Sequence, residues 1–129
     1  MRIVFSTLYF VFILVSSSFS QNSLPRIKVS DNQRFLVKED GKPFFWMADT
    51  AWELFHRCDD EEIDYYLNKR AEQGFNVIQA VALAEIDGLN SPNAYGETPL
   101  FENDPTQPNP RYFDYIAKVL NKAAAKDMY

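Results

Sequence analysis

Gly74-Phe75-Asn76-Val77-Ile78-Gln79-Ala80-Val81-Ala82-Leu83 decides the fold of this chain. A glycine that takes φ > 0 without a Cβ clash stops the helix before it, and a nearly unbroken apolar run begins at once. Such a run suits a strand buried on both faces, as in a parallel sheet. Upstream, Asp59 is an N-cap, with Glu62 three residues on as its capping-box partner. Ile63, Tyr66, Leu67 and Arg70/Ala71 then fall on one helical stripe. The unit reads as helix, glycine stop, parallel-type strand.

Reading outward towards the N-terminus, Pro43-Phe44-Phe45-Trp46-Met47-Ala48 is a second unbroken apolar strand. It ends in Asp49-Thr50-Ala51-Trp52, and a short helix is expected from Ala51 to Phe55. Arg34-Phe35-Leu36-Val37 and the Asp40-Gly41 turn signal predict a β-hairpin over Gln33–Trp46. Towards the C-terminus, a long loop runs from about Ala84 to Asn109. Five of the chain's 7 prolines lie there or just beyond it. Loops beyond about 12–15 residues without secondary structure are usually functional or disordered, and Tyr95, Leu100 and Phe101 favour an ordered one. Asn109-Pro110 suits a helix start, with Phe113, Ile116, Leu120 and Ala123/Ala124 on one face. Asp127-Met128-Tyr129 reads as that helix entering another strand.

Repeated βα order predicts an α/β fold with a parallel sheet. The reading is the N-terminal portion of a (β/α)8 TIM barrel preceded by a short β-hairpin. A closed barrel takes about 250 residues, against 129 here, so residues 21–129 are expected to be an incomplete domain of a longer protein. No Gly-rich phosphate loop follows either strand, which weighs against a small doubly wound domain.

Residues 1–20 have the layout of a secretory signal peptide: Arg2, then the mostly apolar Ile3–Val15, then small residues. Ser18 and Ser20 stand at −3 and −1 of a cut before Gln21. The apolar run is short of the roughly 20 residues a spanning helix needs. A secreted or periplasmic protein, free of the membrane after cleavage, is the expectation. With 13 basic residues against 18 acidic, nucleic acid is not an expected partner, because backbone binding needs clustered Lys and Arg. Cys58 is the only cysteine, so no intrachain disulfide or Cys-based metal site can form. Its neighbour His56 is too awkwardly spaced for a nucleophile pair and reads as a solvated or loop-packing histidine.

Functional groups of α/β barrels collect at the carboxyl ends of strands. The first end carries Asp49, Thr50 and Trp52; the second carries Gln79, Glu85 and Asp87, then Asn93 and Tyr95. Carboxylates and amides match the hydroxyls of a carbohydrate, and aromatic rings cover its apolar C–H face. Each residue also has a plainer role open to it: Asp49 as a cap for the short helix, Trp52 as packing, Gln79 as a partner for a neighbouring strand. Glu85 and Asp87 could act as acid and base, although bracing or binding is favoured, and Asn93 and Tyr95 could be turn and loop-core residues.

Four ordered stretches carry a family resemblance. They are P-F-F-W-M-A-D-T-A-W-E-L-F-H-R (Pro43–Arg57), Y-L-N-K-R-A-E-Q-G-F-N-V-I-Q-A-V (Tyr66–Val81), L-A-E-I-D-G-L-N-S-P-N-A-Y-G (Leu83–Gly96) and P-L-F-E-N-D-P-T-Q-P-N-P-R-Y-F (Pro99–Phe113). Together they resemble the opening of the apiosidase-like glycoside hydrolases, formerly a bacterial domain of unknown function. The resemblance implies a secreted (β/α)8 barrel acting on side chains of plant-type polysaccharides, in the characterised case releasing apiose from pectin. It implies no metal or organic cofactor, and a C-terminal collagen-binding-like domain is often attached. Its catalytic carboxylate pair is expected on later strands, so none of the catalytic residues falls within Met1–Tyr129. Asp49, Trp52, Gln79, Glu85, Asp87, Asn93 and Tyr95 then become walls or braces of the substrate pocket. One departure is Asp127, where a glycine is expected before the third strand. A sugar-binding barrel without turnover and a non-functional truncated product are the alternative readings.

Overall fold

A computed structural model describes residues 24–129; the leader expected at residues 1–20 lies outside them. β1 (Ile27–Val29), β2 (Leu36–Lys38) and β3 (Pro43–Phe44) form an antiparallel sheet in that order. Val37 and Phe44 are its buried members. β4 (Ala48–Ala51) and β5 (Val77–Ala80) form a second, parallel sheet.

The apolar run from Pro43 to Ala48 is thus not one strand buried on both faces. β3 ends at Phe44, and Phe45, Trp46 and Met47 cross between the sheets 75%, 54% and 41% exposed. Asn76 holds the crossing. Its Oδ1 accepts from Met47 N–H at 2.9 Å and its Nδ2 donates to the Phe45 carbonyl at 2.7 Å. An amide side chain replaces the ladder, so the strand can stop without orphaning its backbone groups.

α1 (Leu54–Arg57) is a single turn beginning later than expected, because Ala51 still pairs with Ala80 in the sheet. α2 (Asp60–Glu72) starts with the full capping box. The Asp59 carboxylate accepts from Glu61 and Glu62 N–H, and Glu62 accepts from Asp59 N–H at 3.0 Å. Asp60 N–H donates to the Tyr95 hydroxyl at 2.8 Å, so every early donor of α2 is met. At its far end Gly74 has φ +85°. Gly74 N–H bonds the Ala71 carbonyl and Phe75 N–H the Arg70 carbonyl, the two bonds of a Schellman stop.

α3 (Pro110–Ala124) is capped by Asn109, whose Oδ1 accepts from Arg111 N–H. Its buried stripe is Tyr112, Tyr115, Ile116, Val119 and Ala123. Of the expected face, Ile116 and Ala123 are buried, while Phe113 and Leu120 are exposed and Tyr112, Tyr115 and Val119 take their place. Hydropathy misplaced it because the two tyrosines bury their rings while their tips find carbonyls. Tyr112 donates to the Ala82 carbonyl at 2.8 Å and Tyr115 to the Cys58 carbonyl at 2.6 Å. Ile63, Leu67, Tyr112, Val119 and Met128 are sealed in the core that joins α2 and α3 to the sheet.

α3 ends with the same stop as α2. Asp127 N–H bonds the Ala124 carbonyl and Met128 N–H the Ala123 carbonyl. Asp127 stands in the glycine position with φ +58°. An L-residue in that conformation is strained by roughly 1–2 kcal/mol, less for Asp. Asp127→Gly is therefore expected to stabilise the chain by about 0.5–1 kcal/mol, read as a higher urea midpoint. Two residues on, the chain meets β5: Tyr129 N–H bonds the Asn76 carbonyl at 3.0 Å, and Ile78 N–H bonds the Tyr129 carbonyl at 2.8 Å. Bonds flanking Val77 in this way are a parallel pairing, so the backbone at Tyr129 lies beside β5 on the side away from β4.

The loop after β5 is ordered by its own bonds. Leu100 bridges Pro108, and Asn109 Nδ2 donates to Glu97 and to the Thr98 carbonyl. Among the described residues no helix is long and apolar enough to cross a membrane.

Candidate functional site

Side chains alternate across a strand, and the pairing register decides which face each residue takes. Asp49 pairs with Ile78, and Thr50 with Gln79. Ala51, Ile78 and Ala80 pack on the helix core, so Asp49 shares their face. Thr50 and Gln79 lie together on the opposite, open face. Exposed Trp52 follows at the carboxyl end of β4.

Asp49 faces the helices and does not cap α1. Its Oδ2 accepts from the Tyr66 hydroxyl at 2.7 Å and from Arg70 Nε. The Tyr66 bond, then Arg70, holds the Asp49 carboxyl below its ordinary range. Burial, then the Asp49 bond, pushes the Tyr66 hydroxyl up to about 12. A carboxyl lowered on folding contributes stability above its unfolded pKa and loses it as pH falls through the folded one. Below about pH 4 the wild-type melting temperature should therefore fall more steeply than that of Asp49→Asn.

The two carboxylates after β5 differ. Asp87 has φ +56° and accepts from Asn90 Nδ2 at 2.7 Å and Ser91 Oγ at 3.1 Å. Those bonds, joined by the field of His56, hold its carboxyl below the ordinary range. A Cβ on nearby Gly88 would lie 2.5 Å from the Ala84 carbonyl oxygen, so the turn that aims Asp87 requires glycine. Glu85 is exposed and lines an open cleft of about 460 Å³ with Leu83, Asp87 and Asn90.

Asn93 is buried, and its Oδ1 accepts from the N–H groups of Tyr95 and Glu97. The Tyr95 hydroxyl is taken by Asp60, and its ring packs 4.9 Å from that of Tyr115. Of the seven expected residues, Trp52, Gln79 and Glu85 present side chains outward. Asp87, Asn93 and Tyr95 hold the loop, and Asp49 braces the sheet against α2.

Two further residues bear on the site. Thr50, named with the first strand end, is adjacent to Gln79 on the open face. His56 is buried rather than solvated; the apolar Leu54-Phe55 beside it was the available signal. Among the described residues, no cluster of His, Cys, Asp and Glu is arranged to hold a metal ion.

The family model described as "Apiosidase-like, catalytic domain" matches residues 30–129. The chain belongs to the apiosidase-like family. The match takes in β2 to β5 and all three helices, and begins just after β1. Two solved structures resemble this apiosidase-like chain. One is a glycoside hydrolase family 5 protein from Bacteroides vulgatus, with 31% identity and a TM-score of 0.69 over 84% of this chain and 23% of that one. The other is described as a glycoside hydrolase, with 32% identity and a TM-score of 0.70 over 84% of this chain and 24% of that one. The apiosidase-like chain thus spans about a quarter of the length of these structures. No match was found among curated proteins.

Proposed function

We propose that these residues open the (β/α)8 barrel of a secreted glycoside hydrolase acting on side chains of plant-type polysaccharides. The observation that carries this reading is the geometry of the two parallel strands. β4 and β5 lie in register, and Trp52 and the loop bearing Glu85 leave from the same ends. Thr50 and Gln79 on the open face would line the barrel interior, with Trp52 and Glu85 on the pocket wall. Glycoside hydrolysis uses two carboxylates about 5–5.5 Å apart for retention or about 6.5–9.5 Å for inversion. On this reading both come from strands beyond β5, and the present residues bind and orient the sugar. The family supports a carbohydrate substrate; apiose is the sugar named by the resemblance.

The test is to express the longest chain the gene encodes and offer it apiose-bearing branched pectic oligosaccharides. Release of the branch sugar is expected, and exported protein should begin at Gln21 by mass spectrometry. A folded barrel that binds these oligosaccharides without cutting them would replace the hydrolase with a sugar-binding protein.

A further inference from the structure

Five residues other than glycine take φ > 0 among the described residues: Gln33, Asp87, Glu102, Asn103 and Asp127. Three of them belong to one hydrogen-bonded assembly. Glu102 and Asn103 are consecutive, at φ +52° and +58°, and Asn103 Nδ2 donates to Asn90 Oδ1 at 2.7 Å. Asn90 Nδ2 donates in turn to Asp87 Oδ1 at 2.7 Å. The direction of this chain is fixed by its last member. A carboxylate only accepts, so Asn90 must turn its nitrogen to Asp87 and its oxygen to Asn103, which must then donate. Phe101 N–H bonds the Gln107 carbonyl and Asp104 N–H the Phe101 carbonyl, which clamps the left-handed pair from both sides. Left-handed backbone in an L-residue such as Glu persists only where its surroundings over-determine it, and such strain collects at ligand clamps and active sites.

We propose that Asn103 is a positioning residue for the sugar site: through Asn90 it holds the Asp87 carboxylate so that both oxygens accept hydroxyls of the bound sugar. This rests on the glycosidase reading above, and it gives Asp87 a part in that reading beyond holding the loop. Asp87 is exposed on the cleft that Glu85 lines. An ionised carboxyl has about four acceptor positions. Asn90 takes one on Oδ1 and Ser91 one on Oδ2, which leaves a position on each oxygen for the cleft. Asn103 itself need not touch the sugar.

Asn103→Gly separates this role from packing, because glycine takes φ > 0 freely and brings no donor. In the longest chain the gene encodes, its melting temperature should equal or exceed that of the wild type. For the oligosaccharide that the wild type cuts, KM should rise roughly fivefold with kcat little changed. Asp87→Asn should raise KM by about as much, and the double variant no further than Asp87→Asn alone, since the two residues act in series. Without sugar, carbon-13 NMR should show the Asp87 carboxyl titrating below the ordinary range in the wild type and higher in Asn103→Gly. An unchanged KM in Asn103→Gly, or losses that add in the double variant, would overturn the proposal. A wild type that releases no sugar counts against the glycosidase reading instead, and the Asp87 titration then decides whether Asn103 orients that carboxylate.

Discussion

Tyr112→Ala should destabilise the protein by about 3–5 kcal/mol, the range for truncating a buried aromatic. Tyr112 is 0% exposed and sits where α2, α3 and the end of β5 meet. Truncation removes the ring from the core and also leaves the Ala82 carbonyl without its donor. Tyr112→Phe isolates the second effect and should cost about 1–3 kcal/mol, the price of an unpaired buried acceptor. Urea unfolding of the longest encoded chain and both variants measures this. Equal losses in the two variants would mean that the hydroxyl, rather than the ring, holds the helix to the strand.

Trp52→Ala should have the largest effect on sugar handling. Trp52 is 56% exposed at the end of β4, so little packing is lost and stability should move by no more than about 0.5 kcal/mol. A ring stacked on a sugar is expected to contribute about 1–2 kcal/mol. The loss should appear as a roughly five- to thirtyfold rise in the dissociation constant for the oligosaccharide. Trp52→Phe should recover part of it. A large fall in melting temperature with unchanged affinity would make Trp52 a packing residue.

Local signals were the legible ones. Asp59 and Glu62, Gly74, and Asn109-Pro110 each act within a few residues of themselves, and each acts in the structure as the sequence predicts. The face of β4 was not legible in the same way. Asp49, at the end of an apolar run, reads equally as a cap, a ligand contact or a brace, and only the register with β5 turns it towards Tyr66 and Arg70. The division of Pro43–Ala48 between two sheets depends on Asn76, about thirty residues on in the chain, and no periodicity reports that contact. Tyr112 and Tyr115 misled for a different reason. A tyrosine buries its ring and satisfies its hydroxyl at a distant carbonyl, so hydropathy ranks it below the Phe113 and Leu120 that in fact face outward. The shape of the loop follows from single polar atoms, such as Asn93 Oδ1, that composition cannot place.

The bond between Asp60 N–H and the Tyr95 hydroxyl has a consequence for how a pocket would form. Tyr95 belongs to the loop after β5, and Asp60 opens the helix before that strand. Neither end of the bond can loosen without exposing a helix donor and parting the Tyr95 and Tyr115 rings. The loop should therefore gain its order together with the helices, and hydrogen exchange should find the Tyr95 region and the first turn of α2 opening as one unit. A sugar arriving at Glu85 would meet a wall already set, and the entropy of fixing it would have been lost on folding, not on binding.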